Sequence, residues 1–192
     1  MQRTLGRSGI TGSALGLGCW GIRGPYTDPA GKHVGSGEVD DEDSLRAVHR
    51  AIELCVTFFD TAACYGAGHS ERVLGRALGG RRDQVVIATK FGHLFDEQKR
   101  QALGDDDSPA NLRRSVEASL ARLATDRIDV LQFHLGGHGL DVDDLIAELE
   151  KLVMAGKIRC YGWSTDAPER ARKFAQGEHC AVVQHHPNVP EG

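Results

Sequence analysis

The sequence predicts an α/β protein in which short buried strands alternate with amphipathic helices around a parallel sheet. Three observations carry this reading. Apolar runs of strand length recur along the chain, stripes of helical period lie between them, and polar residues stand where several of the runs end. The 192 residues include 24 Gly and 6 Pro, with 40% apolar and 26% charged side chains, which is the composition of one globular domain, residues 1–192.

The first strand spans residues 14–19, followed by a Gly-rich irregular segment from Gly21 to Gly37. Asp40, Asp41, Glu42 and Asp43 then open a helix, as acids in a first turn suit the helix dipole. Leu45, Val48, Ile52 and Cys55 form its apolar stripe, and the strand 57–60 follows. A second helix, with Ser70 as the expected cap, carries Val73, Leu74, Ala77 and Leu78 and leads into the strand 85–90.

Ser108 and Pro109 read as the cap and first position of a third helix, whose face is Leu112, Val116, Leu120 and Leu123, before the strand 128–134. Val142, Leu145, Ile146, Leu149, Leu152 and Val153 make the strongest helical stripe, ending before the strand 158–164. Asp166 and Pro168 start a fifth helix, and 181–185 is the last strand. The acidic run Asp105-Asp106-Asp107 is expected to be a solvated loop.

The formal net charge of −4 offers no electrostatic footprint for nucleic acid or an anionic membrane surface, and no stretch approaches the length of a bilayer span. The N-terminus lacks the apolar core of a signal peptide, so a cytoplasmic protein is expected. The five cysteines are odd in number and widely spread, which suits reduced thiols. His185-His186 and His138 lack partners at metal-ligand spacing, and no metal is expected.

Asp60, Lys90 and His134 stand at the carboxyl ends of successive strands, with Tyr65 just beyond Asp60. In parallel α/β folds those ends share one rim, so the four residues are expected to converge. A phenol, an ammonium group, a carboxylate and an imidazole suit proton donation to a carbonyl oxygen. In that scheme the phenol is the acid, the ammonium favours its ionisation and the imidazole orients the substrate oxygen.

The run from Asp60 through Tyr65 to Glu71, with Ala88-Thr89-Lys90, Leu131-Gln132-Phe133-His134, Gly156-Lys157-Ile158-Arg159 and Gly162-Trp163-Ser164-Thr165, resembles the aldo-keto reductase family. The resemblance implies a (β/α)8 TIM-barrel fold and NADPH-dependent reduction of a small aldehyde or ketone. It implies Tyr65 as general acid, Lys90 and Asp60 as the pair that tunes it, and His134 as the group that orients the carbonyl. It also implies Ser164, Thr165 and Gln184 as ligands of the nicotinamide carboxamide, and Trp20 as a candidate for the pocket wall.

The six strands and five helices fall short of the eight units of a complete barrel, so a barrel truncated to about six strands and incomplete at the C-terminus is expected. The residues that would contact an adenosine phosphate fall in the missing units, which leaves NADH open beside NADPH. The expected alternative to an active reductase is a truncated, non-catalytic derivative acting as a binding or assembly partner or lacking activity. The chain alone is expected either to self-associate through the open barrel edges, the strands 14–19 and 181–185, or to depend on a chaperone.

Overall fold

A computed structural model describes residues 1–34, 37–136 and 142–186, so His138 and residues 187–192 lie outside the described residues. Among the described residues two antiparallel hairpins flank a six-stranded parallel sheet. The sheet contains β3 (Gly16–Gly18), β4 (Phe58–Asp60), β5 (Val86–Phe91), β8 (Ile128–Phe133), β9 (Ile158–Ser164) and β10 (Cys180–Gln184), in the spatial order β10-β9-β8-β5-β4-β3. Every neighbouring pair is parallel. The helices α1 (Asp41–Glu53), α2 (His69–Ala77), α3 (Pro109–Leu123), α4 (Val142–Met154) and α5 (Pro168–Phe174) alternate with the strands, and the sheet curls into the truncated TIM-barrel arc that the family resemblance implies.

Strand alternation sorts the side chains onto two faces. Phe59, Ile87, Leu131, Phe133, Tyr161 and Trp163 are buried in the layer against the helices, where they join Val48, Leu74, Leu112, Val116, Leu149 and Phe174. Val86, Ala88, Val130 and Cys160 belong to a separate cluster on the opposite face. That face is closed below by an N-terminal hairpin, β1 (Gln2–Thr4) with β2 (Thr11–Ser13), whose Ile10 and neighbouring Leu5 pack into the same cluster. Arg7 ties the hairpin to the far end of the sheet by donating to the carbonyls of Cys180, Ala175 and Gly177.

Several details differ from the expectation. Asp40 caps α1 and Ser108 caps α3, but Ser70 does not cap α2. Its hydroxyl is buried between Thr61 and the Cys19 carbonyl, and Gly68 in the left-handed conformation starts the helix instead. Cys55 is exposed beyond the end of α1, with a positive φ of 63°, so Ser44, Val48 and Ala51 form the buried stripe.

A second hairpin, β6 (His93–Asp96) with β7 (Gln101–Asp105), follows β5. It is half polar and carries no apolar alternation, which hid it in the sequence. Thr27 bridges to both His33 and Gln101, so the segment after Gly21 is anchored to this hairpin rather than being wholly irregular. Asp105 therefore ends a strand, and Asp106 accepts from the Ser108 amide just before α3.

The outer layer carries a buried charge pair between α2 and α3. Glu71 is fully buried, accepts from Thr89 Oγ1 at 2.6 Å and pairs with Arg122 Nε at 2.6 Å. Removing one partner of such a pair strands the other charge in the core. Arg122→Ala should lower the unfolding free energy by about 3–5 kcal/mol. Urea denaturation followed by circular dichroism measures it, and a loss below about 1 kcal/mol would show that Thr89 alone satisfies the carboxylate.

Candidate active site

The face that carries Val86, Ala88 and Val130 lower down carries polar residues at the strand ends. The register sets Asp60 opposite Ala88, Lys90 opposite Gln132 and Ser164 opposite Gln184. The same two-residue alternation that packs Phe58 against Val86 thus aims Asp60 and Lys90 at the rim of the arc.

Lys90 is 2% exposed and spends its protons on three oxygens. Nζ donates to Asp60 Oδ1 at 2.9 Å, to Oδ2 at 2.7 Å and to the Thr61 carbonyl at 2.9 Å. The Tyr65 hydroxyl lies 3.4 Å from the same nitrogen, so Tyr65 is its most distant neighbour in the set. Gln132 Nε2 reaches Asp60 Oδ1 at 3.5 Å and Gln184 Oε1 at 2.8 Å. The amide of Gln184 in turn contacts Asp60 Oδ2 at 3.4 Å.

Tyr65 stands in a tight turn. Gly66, Ala67 and Gly68 all have positive φ, which only glycine adopts freely. A side chain at Gly66 would strike the Arg23 carbonyl oxygen, so this glycine allows the loop after β3 to lie directly on the turn. The Tyr65 ring meets Trp20 edge-on at 5.0 Å and faces His134 at 6.3 Å. The His134 amide donates to the Phe91 carbonyl at 3.0 Å, which fixes His134 just past the end of β8.

Two cavities meet at these residues. One, of about 230 Å³, is lined by Tyr65, Lys90, His134, Ser164, Thr165 and Gln184 among others. The other, of about 530 Å³, also contains Tyr65 and His134, with Trp20, Arg23, Tyr26 and His93 on its walls. All eight residues singled out in the sequence therefore lie at one rim: seven line these cavities, and Asp60 stands beneath them on Lys90. Gln132, His93 and Arg23 were missed. Gln132 sits inside the very run that marked His134, and its polar side chain between Leu131 and Phe133 was the signal that could have found it. His93 begins the half-polar strand β6 and Arg23 lies in the loop after β3, and neither segment has a periodicity to place it.

Burial, followed by the Asp60 charge, raises the Tyr65 pKa above the ordinary tyrosine value of 10. Tyr65 therefore keeps its proton at neutral pH. Burial, then the Lys90 and His93 charges, pulls His134 down to about 3, so its imidazole is neutral. Burial pushes the Cys64 thiol up to about 12. Cys64, His93 and His134 each offer one ligand atom, all within 4.8 Å of one another, a set that the sequence did not suggest. The neutral imidazole suits ligation, whereas the protonated thiol opposes it.

These shifts set a pH dependence. An unfolded His takes up its proton near 6.5, whereas His134 in the folded chain resists it down to about 3, so its contribution to stability falls as pH drops through that window. His134→Gln should flatten the loss of stability between pH 7 and pH 4.5, as measured by denaturant unfolding at both. An unchanged slope would mean that His134 takes its proton in the folded state.

No helix among the described residues is long and apolar enough to cross a membrane. The family model described as the aldo/keto reductase family matches residues 14–189. Aldo-keto reductase YhdN of Bacillus subtilis (strain 168) is 34% identical over 169 residues, 87% of this chain and 47% of that protein. The chain thus spans about half the length of this curated relative. The holo form of aldo-keto reductase AKR11C1 from Bacillus halodurans superposes with a TM-score of 0.83 at 31% identity, over 97% of this chain and 57% of that one. An aldo/keto reductase from Klebsiella pneumoniae, solved in complex with NADP and acetate, superposes with a TM-score of 0.69 at 30% identity, over 93% of this chain and 56% of that one. With its strand-end residues, its curled parallel sheet and the family match over residues 14–189 in agreement, the chain belongs to the aldo/keto reductase family.

Proposed function

We propose that residues 1–192 form one barrel-type domain that reduces an aldehyde or ketone, with Tyr65 as the proton donor and NADPH as the hydride source. The observation that supports this best is that Tyr65 and His134 line both cavities. A substrate in the larger space and a cofactor in the smaller would meet across these two side chains. The 230 Å³ cavity presents the hydroxyls of Ser164 and Thr165 beside Lys90 and Tyr65, which suits the carboxamide end of a nicotinamide. When bound there, the reduced cofactor supplies hydride to the carbonyl carbon.

The chain's own residues handle the proton. The neutral His134 hydrogen-bonds the carbonyl oxygen and orients it toward Tyr65. The Tyr65 hydroxyl then donates its proton as negative charge builds on that oxygen, because an alkoxide is a stronger base than a phenolate. The phenolate left behind faces Lys90 Nζ, 3.4 Å away, whose position Asp60 and Thr61 hold. The raised resting pKa of Tyr65 keeps the acid loaded before the reaction. Gln184 accepts from Gln132 and donates to Asp60, which leaves one lone pair and one amide hydrogen for the carboxamide.

Tyr65→Phe removes the acidic proton and almost no volume. Carbonyl reduction should fall by about 10²–10⁴, with NADPH binding unchanged in a fluorescence titration. Turnover within a fewfold of the parent would overturn the assignment of Tyr65.

The same reading places the domain in the cytoplasm, with a small carbonyl compound as its partner and no nucleic acid or membrane. Two sheet edges bear on its assembly. Among the described residues β3 pairs only with β4 and β10 only with β9, and Leu15 and Val183 beside these edges are exposed. Unpaired apolar edges recruit other chains. Light scattering after size exclusion should show the 192-residue chain self-associating as its concentration rises. A stable monomer at high micromolar concentration would show that the edges are covered.

A further inference from the structure

Among the described residues, the buried side-chain nitrogens that lack a hydrogen-bond partner are the three of the Arg23 guanidinium. Arg23 is 2% exposed, and its guanidinium carbon stacks 3.2 Å from the centre of the Trp20 ring. Arginine keeps its charge under almost any condition, so burial leaves a full cation with one face on an indole and no counter-ion among the described residues. A buried charge without a partner is costly, and the fold keeps it only where something else completes it.

The side chain lines the 530 Å³ cavity together with Tyr65 and His134. Two acids share that wall, and each is engaged elsewhere. Asp28 accepts from the Lys32 amide at 2.9 Å, and Asp105 bonds His93 Nδ1 at 2.7 Å. The backbone holds Arg23 in place relative to the acid, because its carbonyl oxygen rests against Gly66 in the Tyr65 turn. The remaining walls include Trp20, Pro29, Val34 and Ala102, which suit a carbon skeleton rather than a second charge.

We propose that Arg23 is a specificity-determining residue that pairs with a carboxylate on the substrate, so that the preferred substrates are carbonyl compounds carrying a carboxylate in the same molecule. A planar two-oxygen anion matches the guanidinium fork, and its single charge is matched by this single cation. A phosphate would bring a second negative charge toward Asp28 and Asp105. This inference rests on the proposed carbonyl reduction only for the word substrate; the anion site itself stands on Arg23.

The test is calorimetric binding of 4-formylbenzoate and of its methyl ester to the 192-residue chain. The acid should bind at least tenfold more tightly than the ester, and Arg23→Gln should erase the difference by weakening the acid alone. Equal affinity of the parent chain for acid and ester, no binding of either, or an acid preference that survives in Arg23→Gln would overturn the proposal. Should Arg23→Gln fail to fold, as judged by circular dichroism, the parent comparison and Arg23→Lys decide. The lysine variant keeps the charge without the fork, and should keep a reduced preference for the acid. Failure of the reductase reading shows differently, as absence of NADPH oxidation with either compound while the binding preference persists.

Discussion

The site is organised around the ion pair between Lys90 and Asp60. Lys90 is 2% exposed, and a buried ammonium is tolerated only when its three protons all find acceptors. Two go to the carboxylate of Asp60 and one to the carbonyl of Thr61, all within 2.9 Å. This geometry requires β4 and β5 to be parallel and in the register that sets Asp60 opposite Ala88, two residues before Lys90. A slip of β5 by one residue would turn Lys90 into the apolar layer beneath the helices and leave Asp60 unpaired. The pair therefore demands the sheet, and the apolar packing on both faces supplies it.

From that pair the remaining polar groups follow by contact. Gln132 and Gln184 hydrogen-bond to each other and to the two Asp60 oxygens, which ties β8 and β10 to β4 across the rim. Tyr65 and His134 sit above, where burial and the Asp60 and Lys90 charges keep the phenol protonated and the imidazole neutral. Both are the protonation states that suit a donor and an orienting group beside a carbonyl. The turn that presents Tyr65 carries three consecutive positive φ angles, so the position of the acid is set by backbone conformation as well as by side-chain packing.

The loops differ in kind from the strands. The hairpin of β6 and β7 and the segment from Trp20 to Val34 contribute most of the wall of the larger cavity, and they are joined by single bridges at Thr27 rather than by a sheet. The scaffold thus sets the reacting groups rigidly, while the shape and charge of the substrate space come from loops, as in barrel enzymes generally. Arg23 belongs to this second layer. It is placed by the close approach of its backbone to Gly66, and its charge acts on the same cavity that holds Tyr65.

Much of the fold was readable in the sequence because each strand is an apolar run and each helix carries a stripe. The six strands of the parallel sheet, the five helices, the acidic start of α1 and the cap at Ser108 all follow from local pattern. The convergence of Asp60, Lys90 and His134 followed as well, since residues at the ends of parallel strands share a rim whatever their distance in sequence. Tertiary structure alone decided the rest. Ser70 looks like a cap, yet its hydroxyl is drawn inward by Thr61 and Cys19, partners 9 and 51 residues away. The half-polar hairpin at His93 has no periodicity of its own and exists through cross-strand pairing and the bridge to Thr27. That the Lys90 ammonium is shared among Asp60, the Thr61 carbonyl and the Tyr65 hydroxyl is visible only in the assembled sheet. Arg23 in the sequence is one more basic residue in a Gly-rich loop; its burial without a counter-ion depends on Trp20 and the Tyr65 turn closing around it. Local pattern specifies which backbone each segment adopts, whereas desolvation, and with it the chemistry of a charged group, is a property of everything packed around that group.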